Sequence, residues 1–135
     1  MIIGIGTDIC DIRRIEGSIE KFGTRFIEKI FTAFEQDYCE RKSASGSAYA
    51  KRFAAKEAIA KALATENSGA LPWTDVEVRN DPSGRPVAKL YGKAQERLEL
   101  IAPQGKASVH LSLSDDYPYA VAYAIIETQQ TESQS

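Results

Sequence analysis

Two carboxylates and one lysine are the residues of this sequence that are best suited to chemistry. Gly6-Thr7-Asp8 lies near the end of the apolar stretch that opens the chain, and Glu57 and Lys61 are four residues apart. An ionised aspartate among apolar residues is costly to bury unless it meets a cation or several donors. Taken together, Asp8 and Glu57 could hold a divalent cation while Lys61 contacts a phosphate. Taken separately, Asp8 could be a helix cap or part of a structural salt bridge, and Glu57 and Lys61 could be a solvated ion pair on one helix face.

Basic residues are concentrated around Glu57. Four of them fall within eleven residues: Lys51, Arg52, Lys56 and Lys61. Beside two carboxylates, this cluster suits a phosphate-rich ligand bound with a metal, because Mg²⁺ takes one or two protein carboxylates and completes its octahedron with phosphate oxygens and water. The alternative is an ordinary solvated helix face. His110, the only histidine, shares a predicted strand face with serines and is either a ligand contact or a surface residue.

The first half of the chain predicts the elements that position Asp8 and Glu57. A short β-branched apolar run indicates a buried strand, helical spacing of apolar residues follows it, and an alanine-rich stretch without Gly or Pro indicates a long packed helix. The predicted elements are a strand over 2–9, a helix over 11–22 with Asp11 as N-cap, a helical face over 26–31, a capping box formed by Thr32 and Glu35, a loop over 43–47 and a helix over 48–64.

The second half of the chain changes to an alternating pattern that is typical of half-buried strands. Turn-forming residues separate these strands. The predicted elements are a strand around Val76 and Val78, a turn over 81–84, a return strand over 86–91, a helix over 92–102, a strand over 107–114 and a last strand over 119–127. Residues 1–127 are therefore predicted to form one domain, and the polar residues 128–135 a disordered tail.

Length and charge narrow the class of protein. The chain has 135 residues, about one domain. Its net charge is −2, whereas a nucleic-acid-binding domain is usually strongly basic, so we expect no nucleic-acid partner. No stretch reaches the about 20 apolar residues that cross a membrane, and the start lacks a basic leader. We therefore expect a cytoplasmic protein without a membrane partner, in which Cys10 and Cys39 are free thiols.

The motifs together resemble the holo-acyl carrier protein synthase family, the small bacterial class of 4′-phosphopantetheinyl transferases. The resemblance covers about residues 2–127 and rests on three segments, each matching the family in order and separation: Ile3-Gly4-Ile5-Gly6-Thr7-Asp8-Ile9, Arg52-Phe53-Ala54-Ala55-Lys56-Glu57-Ala58-Ile59-Ala60-Lys61-Ala62, and His110-Leu111-Ser112-Leu113-Ser114-Asp115. The chain departs from the family pattern at two places. Residues 64–69 stand where the family commonly has a Gly-Thr-Gly turn, and Asp115 stands where some members have a second histidine.

The resemblance implies the fold and the reaction. The fold would be α+β, a single half-domain of the 4′-phosphopantetheinyl transferase fold with an antiparallel sheet and a long packed helix, assembled as a homotrimer with sites between chains. The reaction would transfer the 4′-phosphopantetheine arm of coenzyme A to a serine of apo-acyl carrier protein. It would release adenosine 3′,5′-bisphosphate, require Mg²⁺ and serve fatty acid biosynthesis. A non-catalytic trimeric nucleotide-binding protein and another Mg²⁺-dependent phosphotransferase are the alternatives, although the chain has no P-loop motif.

The resemblance also implies a role for each of several residues. Asp8 and Glu57 would hold Mg²⁺, and Asp8, Glu57 and Lys61 would be the catalytic residues. Coenzyme A would be bound by basic side chains, of which Arg52 and His110 could come from the adjoining chain: Arg52, Lys56, Lys61 and His110. The acceptor of the serine proton would be Glu57 or a metal-bound water, with His110 less favoured.

A basic face of the first predicted helix provides the expected docking surface for the acidic carrier protein. Arg14 and Lys21 are seven residues apart and share that face, and Arg25 follows the break at Gly23. Arg13 is adjacent in sequence but turned about 100° away, so it ranks second. The alternative is an ordinary solvated face.

Overall fold

Strands and helices are mixed along the chain in an α+β arrangement. The computed structural model describes residues 1–129. Within that range the elements are β1 (Ile2–Asp11), α1 (Ile12–Phe22), α2 (Thr24–Ile30), α3 (Ala33–Glu40), α4 (Ser45–Ala62), β2 (Val76–Asn80), β3 (Pro86–Leu90), α5 (Gly92–Ile101), β4 (Ala107–Asp116) and β5 (Tyr119–Thr128), with a 3₁₀ turn at Trp73–Asp75 before β2. The predicted α+β class is confirmed.

The main sheet is antiparallel, with strand order β1–β5–β4, and β2 and β3 form a separate antiparallel hairpin. Alternate residues of β5 point towards α4 and are fully buried: Ala120, Ala122, Ala124 and Ile126. Three of these four are alanines, and small side chains let a helix lie close to a sheet. The register pairs Asp8 of β1 with Ala122, which places Asp8 on the face that carries α4.

Two glycines of β1 allow the backbone of α4 to approach the strand directly. A Cβ atom on Gly6 would lie 1.8 Å from the carbonyl oxygen of Ala58, and one on Gly4 would lie 2.2 Å from the carbonyl oxygen of Ala62. No residue with a side chain fits at either position unless the strand and the helix separate. The glycines therefore set the distance between the element that carries Asp8 and the element that carries Glu57.

Helix α4 is longer at its start than predicted. The residues expected to form a loop over 43–47 include the first turn of α4, which begins at Ser45, and the helix ends at Ala62 rather than at residue 64. Gly46 lies against α1, since a Cβ there would lie 2.6 Å from Cγ of Glu16. Packing on α1 therefore overrides the low helix propensity of the Ser-Gly sequence.

The ends of the other elements agree closely with the prediction. Asp11 closes β1 and caps α1, because its side chain accepts a hydrogen bond from the Arg13 amide. Thr32 and Glu35 form the predicted capping box at α3. Of the predicted tail, Thr128 belongs to β5, the Gln129 amide donates a hydrogen bond to the carbonyl oxygen of Lys106, and residues 130–135 lie outside the described residues. Among residues 1–129, no helix is both long and apolar enough to cross a membrane.

The face of the main sheet that points away from α4 is largely apolar and uncovered. Four large side chains on or beside its β1 and β5 strands are about half exposed or more: Ile5, Ile9, Tyr119 and Tyr123. His110 of β4 lies on this same face, opposite Ile125. A sheet face of this kind indicates an interaction surface.

Candidate active site

Asp8, Glu57 and Lys61 meet where β1 crosses α4. The ammonium of Lys61 donates a hydrogen bond to the carbonyl oxygen of Thr7 at 2.9 Å and lies 3.3 Å from Oδ1 of Asp8. Asp8 and Glu57 line the same open cavity, which has a volume of about 400 Å³. The Lys61 side chain is about half exposed, so it faces solvent at the edge of this pair.

The electrostatics of this cluster favour a cation. Partial burial raises the pKa of Glu57, the nearby Asp8 carboxylate raises it further, and Lys61 opposes both effects. Two carboxylates that line one open cavity form a hard oxygen donor set, which fits Mg²⁺. Within residues 1–129 no group of three or more His, Cys, Asp or Glu side chains could hold a metal, so the other positions would be filled by water and phosphate oxygens.

A stacked aromatic pair flanks Glu57. The rings of Phe53 and Trp73 stack with centroids 5.1 Å apart and an angle of 26° between their planes. Phe53 lies one helical turn before Glu57 and lines the cavity that Asp8 also lines. Trp73 was not singled out from the sequence, because it lies in an irregular stretch where no periodicity shows what it contacts.

Arg52 projects from a different side of α4. Its guanidinium is buried, lies 3.8 Å from the ring centroid of Tyr38 and donates a hydrogen bond to Oδ1 of Asn80. Its Nε is buried without a hydrogen-bond partner. Arg52 lines a second cavity of about 240 Å³ together with Lys42 and Lys51. Three cations around one cavity form a site that is suited to an anion.

Asp115 moderates the charge of this second cavity. Its carboxylate lies 3.0 Å from Nζ of Lys51, and both side chains remain partly exposed.

The sequence did not identify Lys42 and Lys51 as ligand contacts. Lys51 was recognised only as part of the basic cluster, and Lys42 lies between helices, where spacing gives no information on direction.

The sequence predicts a coenzyme A contact at Lys56, whereas the structure turns its ammonium into the protein. Its ammonium is 1% exposed and lies 2.7 Å from Oε1 of Glu35, a carboxylate that is itself fully buried. It also donates hydrogen bonds to the carbonyl oxygens of Trp73 and Val76. Burial lowers the pKa of Lys56, and the Glu35 carboxylate opposes that shift. The ammonium is therefore fully engaged inside the protein.

His110 lies on the sheet face opposite the Asp8–Glu57 cluster. It pairs with Ile125, which points away from α4, and its Nε2 lies 3.2 Å from Oε1 of Glu127. The His110 side chain of a given chain therefore cannot contribute to the cluster of that same chain. A role for His110 in coenzyme binding requires the adjoining chain.

The predicted docking residues are spread along the first two helices. Arg14 lines the cavity that contains Asp8 and Glu57. Lys21 lies in the last turn of α1, and Arg25 follows Gly23, whose φ of 59° turns the chain between α1 and α2. Arg13, the second choice, is held by Asp11 in an ion pair at 2.7 Å. Arg14 therefore lies nearest to the candidate chemistry.

Both cysteine thiols are buried, and one of them lies at the site. Cys10 and Cys39 are both free and buried, and burial raises their pKa values to about 11 and about 12. Cys10 lines the Asp8 cavity, where its protonated thiol adds an apolar surface.

The sequence indicates Glu35 only as part of a helix cap. Its pairing with Lys56 depends on a contact between helices, which residue spacing does not reveal.

Sequence comparison identifies close relatives over nearly the whole chain. Residues 4–122 match the family model of the 4′-phosphopantetheinyl transferase superfamily. The chain is 54% identical over 128 residues to a holo-[acyl-carrier-protein] synthase of Methylorubrum extorquens, and the match covers 94% of each protein. It is 55% identical over 128 residues to that of a Caulobacter species, covering 94% of this chain and 96% of the relative.

Comparison with solved structures identifies relatives of the same family by their fold. The holo-[acyl-carrier-protein] synthase of Neisseria meningitidis aligns with a TM-score of 0.79 and 35% identity, covering 94% of this chain and 99% of that one. The Helicobacter pylori synthase, solved in complex with coenzyme A, aligns with a TM-score of 0.75 and 29% identity over 91% of this chain and 99% of that one. From its motifs, its fold and these relatives, the chain belongs to the holo-[acyl-carrier-protein] synthase family of the 4′-phosphopantetheinyl transferase superfamily.

Proposed function

We propose that the chain transfers the 4′-phosphopantetheine arm of coenzyme A to a serine of apo-acyl carrier protein and serves fatty acid biosynthesis in the cytoplasm. The serine oxygen forms a bond to the phosphorus that carries the arm. The bond from that phosphorus to the bridging pyrophosphate oxygen breaks, and adenosine 3′,5′-bisphosphate leaves. The observation that carries this proposal is that Asp8 and Glu57 line one open cavity, with the ammonium of Lys61 beside Asp8. Free thiols at Cys10 and Cys39 fit the expected compartment.

The carboxylates of Asp8 and Glu57 would hold Mg²⁺. When bound there, the metal would supply Lewis-acid stabilisation of the pyrophosphate charge. Lys61 keeps its ammonium beside Asp8 and would balance the charge that builds up on the phosphate oxygens. The serine proton would be accepted by the Glu57 carboxylate or by a water bound to the metal.

Intact mass spectrometry tests the proposal directly. The chain is incubated with coenzyme A, Mg²⁺ and an apo-acyl carrier protein. We expect the carrier to gain the mass of one phosphopantetheine group, and the gain to disappear when its acceptor serine is replaced by alanine. A carrier that stays unmodified at every concentration of the chain would contradict the proposal and favour a non-catalytic nucleotide-binding protein.

Arg52 is proposed to bind the 3′-phosphate of coenzyme A. Its unpartnered Nε and the cavity that it shares with Lys42 and Lys51 support this role. We expect Arg52→Ala to lower kcat/KM for coenzyme A roughly ten- to a hundredfold, because a charge-assisted hydrogen bond contributes about 1.5–3 kcal/mol. Kinetics with dephospho-coenzyme A check the assignment. The loss should largely vanish with this substrate, and an equal loss with both substrates would show that Arg52 only supports the fold.

The uncovered sheet face is proposed to build a homotrimer that brings His110 to the site of a neighbouring chain. Its exposed Ile5, Ile9 and Tyr123 supply an apolar contact surface. We expect light scattering to give about 45 kDa, three times the 14.9 kDa of one chain. We also expect Tyr123→Glu to yield monomers without activity. Full activity in a monomer would contradict the assembly.

Mixing two inactive variants tests the interchain site. Glu57→Ala and His110→Ala chains that are refolded together should regain activity, because some sites then combine an intact Glu57 with an intact His110 from different chains. If each site used both residues of one chain, no mixed assembly would contain a complete site. Activity that stays at the level of the separate variants would therefore place His110 outside the site.

The basic face of α1 and α2 is proposed to dock the acidic carrier protein. Arg14 lines the cavity of Asp8, and Lys21 and Arg25 continue the positive surface. We expect Arg14→Glu to raise the KM for carrier protein about fivefold, equivalent to about 1 kcal/mol. The KM for coenzyme A should stay unchanged. Added salt should reduce the difference from the wild type, because salt screens exposed charges.

A matched variant controls for the change in net charge. Lys93 is an exposed basic residue on α5. Lys93→Glu changes the charge of the chain by the same amount and should leave the KM for carrier protein unchanged. Equal effects of the two variants would show that the docking surface lies elsewhere.

A further inference from the structure

A carboxylate lines the cavity that is suited to an anion. Lys42, Lys51 and Arg52 supply three positive charges around a volume of about 240 Å³, and Asp115 lines the same cavity. A site that only collects anions is weakened by an acidic side chain, because a carboxylate repels a bound phosphate. Asp115 therefore calls for a separate explanation.

Neutral groups hold two of the three cations. The guanidinium of Arg52 lies 3.8 Å from the ring centroid of Tyr38, and the ammonium of Lys42 lies 4.8 Å from the centroid of the same ring. Arg52 also donates a hydrogen bond to the side chain of Asn80, and its Nε is buried without a partner. Aromatic rings and amides carry no formal charge, so both cations keep their charge for a ligand.

Lys51 is held by a charged group instead. Its ammonium lies 3.0 Å from Oδ1 of Asp115, and the two side chains are 31% and 37% exposed. Within residues 1–129, Lys51 is the one cation of this cavity that pairs with a carboxylate. A partly buried pair keeps more of its attraction than a pair on an open surface, since water and salt screen it less. Asp115 therefore cancels much of the charge that Lys51 would offer to an anion.

The register of β4 places Asp115 at this cavity. Asp115 lies opposite Ala120, whose side chain is fully buried and points towards α4. Side chains alternate along a strand, so Asp115 shares the α4 face of β4 and Asp116 lies on the other face. The earlier residues of β4 on the α4 face are apolar and pack against the core: Val109, Leu111 and Leu113. Asp115 is thus a single carboxylate at the end of an apolar row, beside Lys51 of α4.

We propose that Asp115 is a positioning residue that competes with the bound 3′-phosphate for the Lys51 ammonium and so limits the affinity of this cavity. The inference rests on the proposed function, in which the cavity receives that phosphate. Coenzyme A and the product adenosine 3′,5′-bisphosphate carry the same 3′-phosphate, so every contact to it binds both molecules. Three uncompensated cations would retain the product, and product release limits the turnover of many enzymes. A competing carboxylate lets the product leave.

Isothermal titration calorimetry of Asp115→Asn with adenosine 3′,5′-bisphosphate tests the inference, because asparagine keeps a similar size and removes the charge. We expect the dissociation constant of the bisphosphate to fall about fivefold, at the upper end of what an accessible ion pair contributes. Adenosine 5′-monophosphate, which lacks the 3′-phosphate, should bind the variant and the wild type equally.

The direction of the change separates the inference from a structural role. Breaking a pair that only joins β4 to α4 would leave bisphosphate binding unchanged or weaken it. Either result would overturn the inference, as would the absence of binding to both proteins or an equal gain for adenosine 5′-monophosphate.

Asp116→Asn is the matched control. Asp116 is exposed, follows Asp115 in β4 and lies opposite Tyr119 on the other face of the sheet. The change removes the same charge from the chain and should leave the dissociation constant of the bisphosphate unchanged. An equal gain in both variants would reflect net charge alone and would overturn the role of Asp115.

A double-mutant cycle shows whether Asp115 acts through Lys51. Lys51→Met removes the ammonium, so adding Asp115→Asn to this variant should change the dissociation constant of the bisphosphate by less than about twofold. A fivefold gain that persists without Lys51 would contradict a competition for its ammonium.

Steady-state kinetics separate this inference from the proposed function. Asp115→Asn should lower the KM for coenzyme A without raising kcat, because a contact made equally in the ground state and the transition state changes binding alone. The KM for dephospho-coenzyme A should stay unchanged. If the wild type modifies no carrier protein, the proposed function fails, whereas the calorimetric results still decide the role of Asp115. If the carrier protein is modified but Asp115→Asn does not tighten bisphosphate binding, only this inference fails.

Discussion

Alanine in place of Asp8 or Glu57 is expected to abolish phosphopantetheine transfer while the chain still folds. Each residue supplies one of the two carboxylates proposed to hold the metal, and losing either removes half of the protein's oxygen donors to it. Loss of a Lewis acid that contributes about 4 kcal/mol corresponds to about a thousandfold in rate. Steady-state kinetics at saturating Mg²⁺ would measure the loss, and chelation of the wild type by EDTA should have the same effect.

The control for this prediction is a carboxylate outside the site. Asp37 lies on α3 and forms an exposed ion pair with Arg41. Asp37→Asn should retain wild-type turnover and thermal stability. Near-normal turnover of either site variant would overturn the assignment of the metal ligands, and loss of the circular dichroism spectrum would show that the variant had failed to fold instead.

Among the glycines of residues 1–129, Gly6 should tolerate replacement by alanine least. The added Cβ would lie 1.8 Å from the Ala58 carbonyl oxygen and 2.9 Å from the Ala62 amide nitrogen, both backbone atoms that cannot rotate away. β1 would have to move off α4 and carry Asp8 with it. We expect a loss of about 3 kcal/mol or more in the free energy of unfolding, at the upper end of the cost of overpacking. Urea denaturation measures the stability, and transfer assays should show loss of activity.

Gly17→Ala adds the same methyl group but should stabilise the protein instead of destabilising it. Gly17 lies in α1, and a Cβ there would meet nothing within 4 Å. Alanine should raise the free energy of unfolding by about 0.5–1 kcal/mol, because glycine is a poor helix former. If Gly6→Ala were as stable and active as Gly17→Ala, the close contact between strand and helix would not set the geometry of the site.

Residues whose direction follows from one helix or strand could be predicted from the sequence. Glu57 and Lys61 share a face of α4 because of their spacing, and Asp8 lies beside them because the glycines before it admit the helix. The boundary at Asp11 also followed from local capping chemistry. The contact between β1 and α4 is long-range, and the sequence indicated it only through the resemblance to the family.

Residues whose direction depends on a neighbouring element could not be predicted. Lys56 has the same charge as Lys61 and lies in the same helix, but it points towards Glu35 and is buried. A position five residues away on a helix is about 140° further round, which spacing shows, but spacing does not show which side faces solvent. For the same reason the sequence could not tell which sheet face His110 occupies.

Several sides of α4 carry contacts that differ in kind, and this limits how the length of the chain can vary. Ala54, Ala55 and Ala58 are fully buried, Lys56 faces Glu35, and Glu57 faces the cavity of Asp8. One residue inserted into this helix would turn all that follows by about 100° and advance it by about 1.5 Å. Insertions and deletions should therefore be excluded from residues 52–61, whereas the irregular connection after α4 can change length without altering the order of groups along the helix.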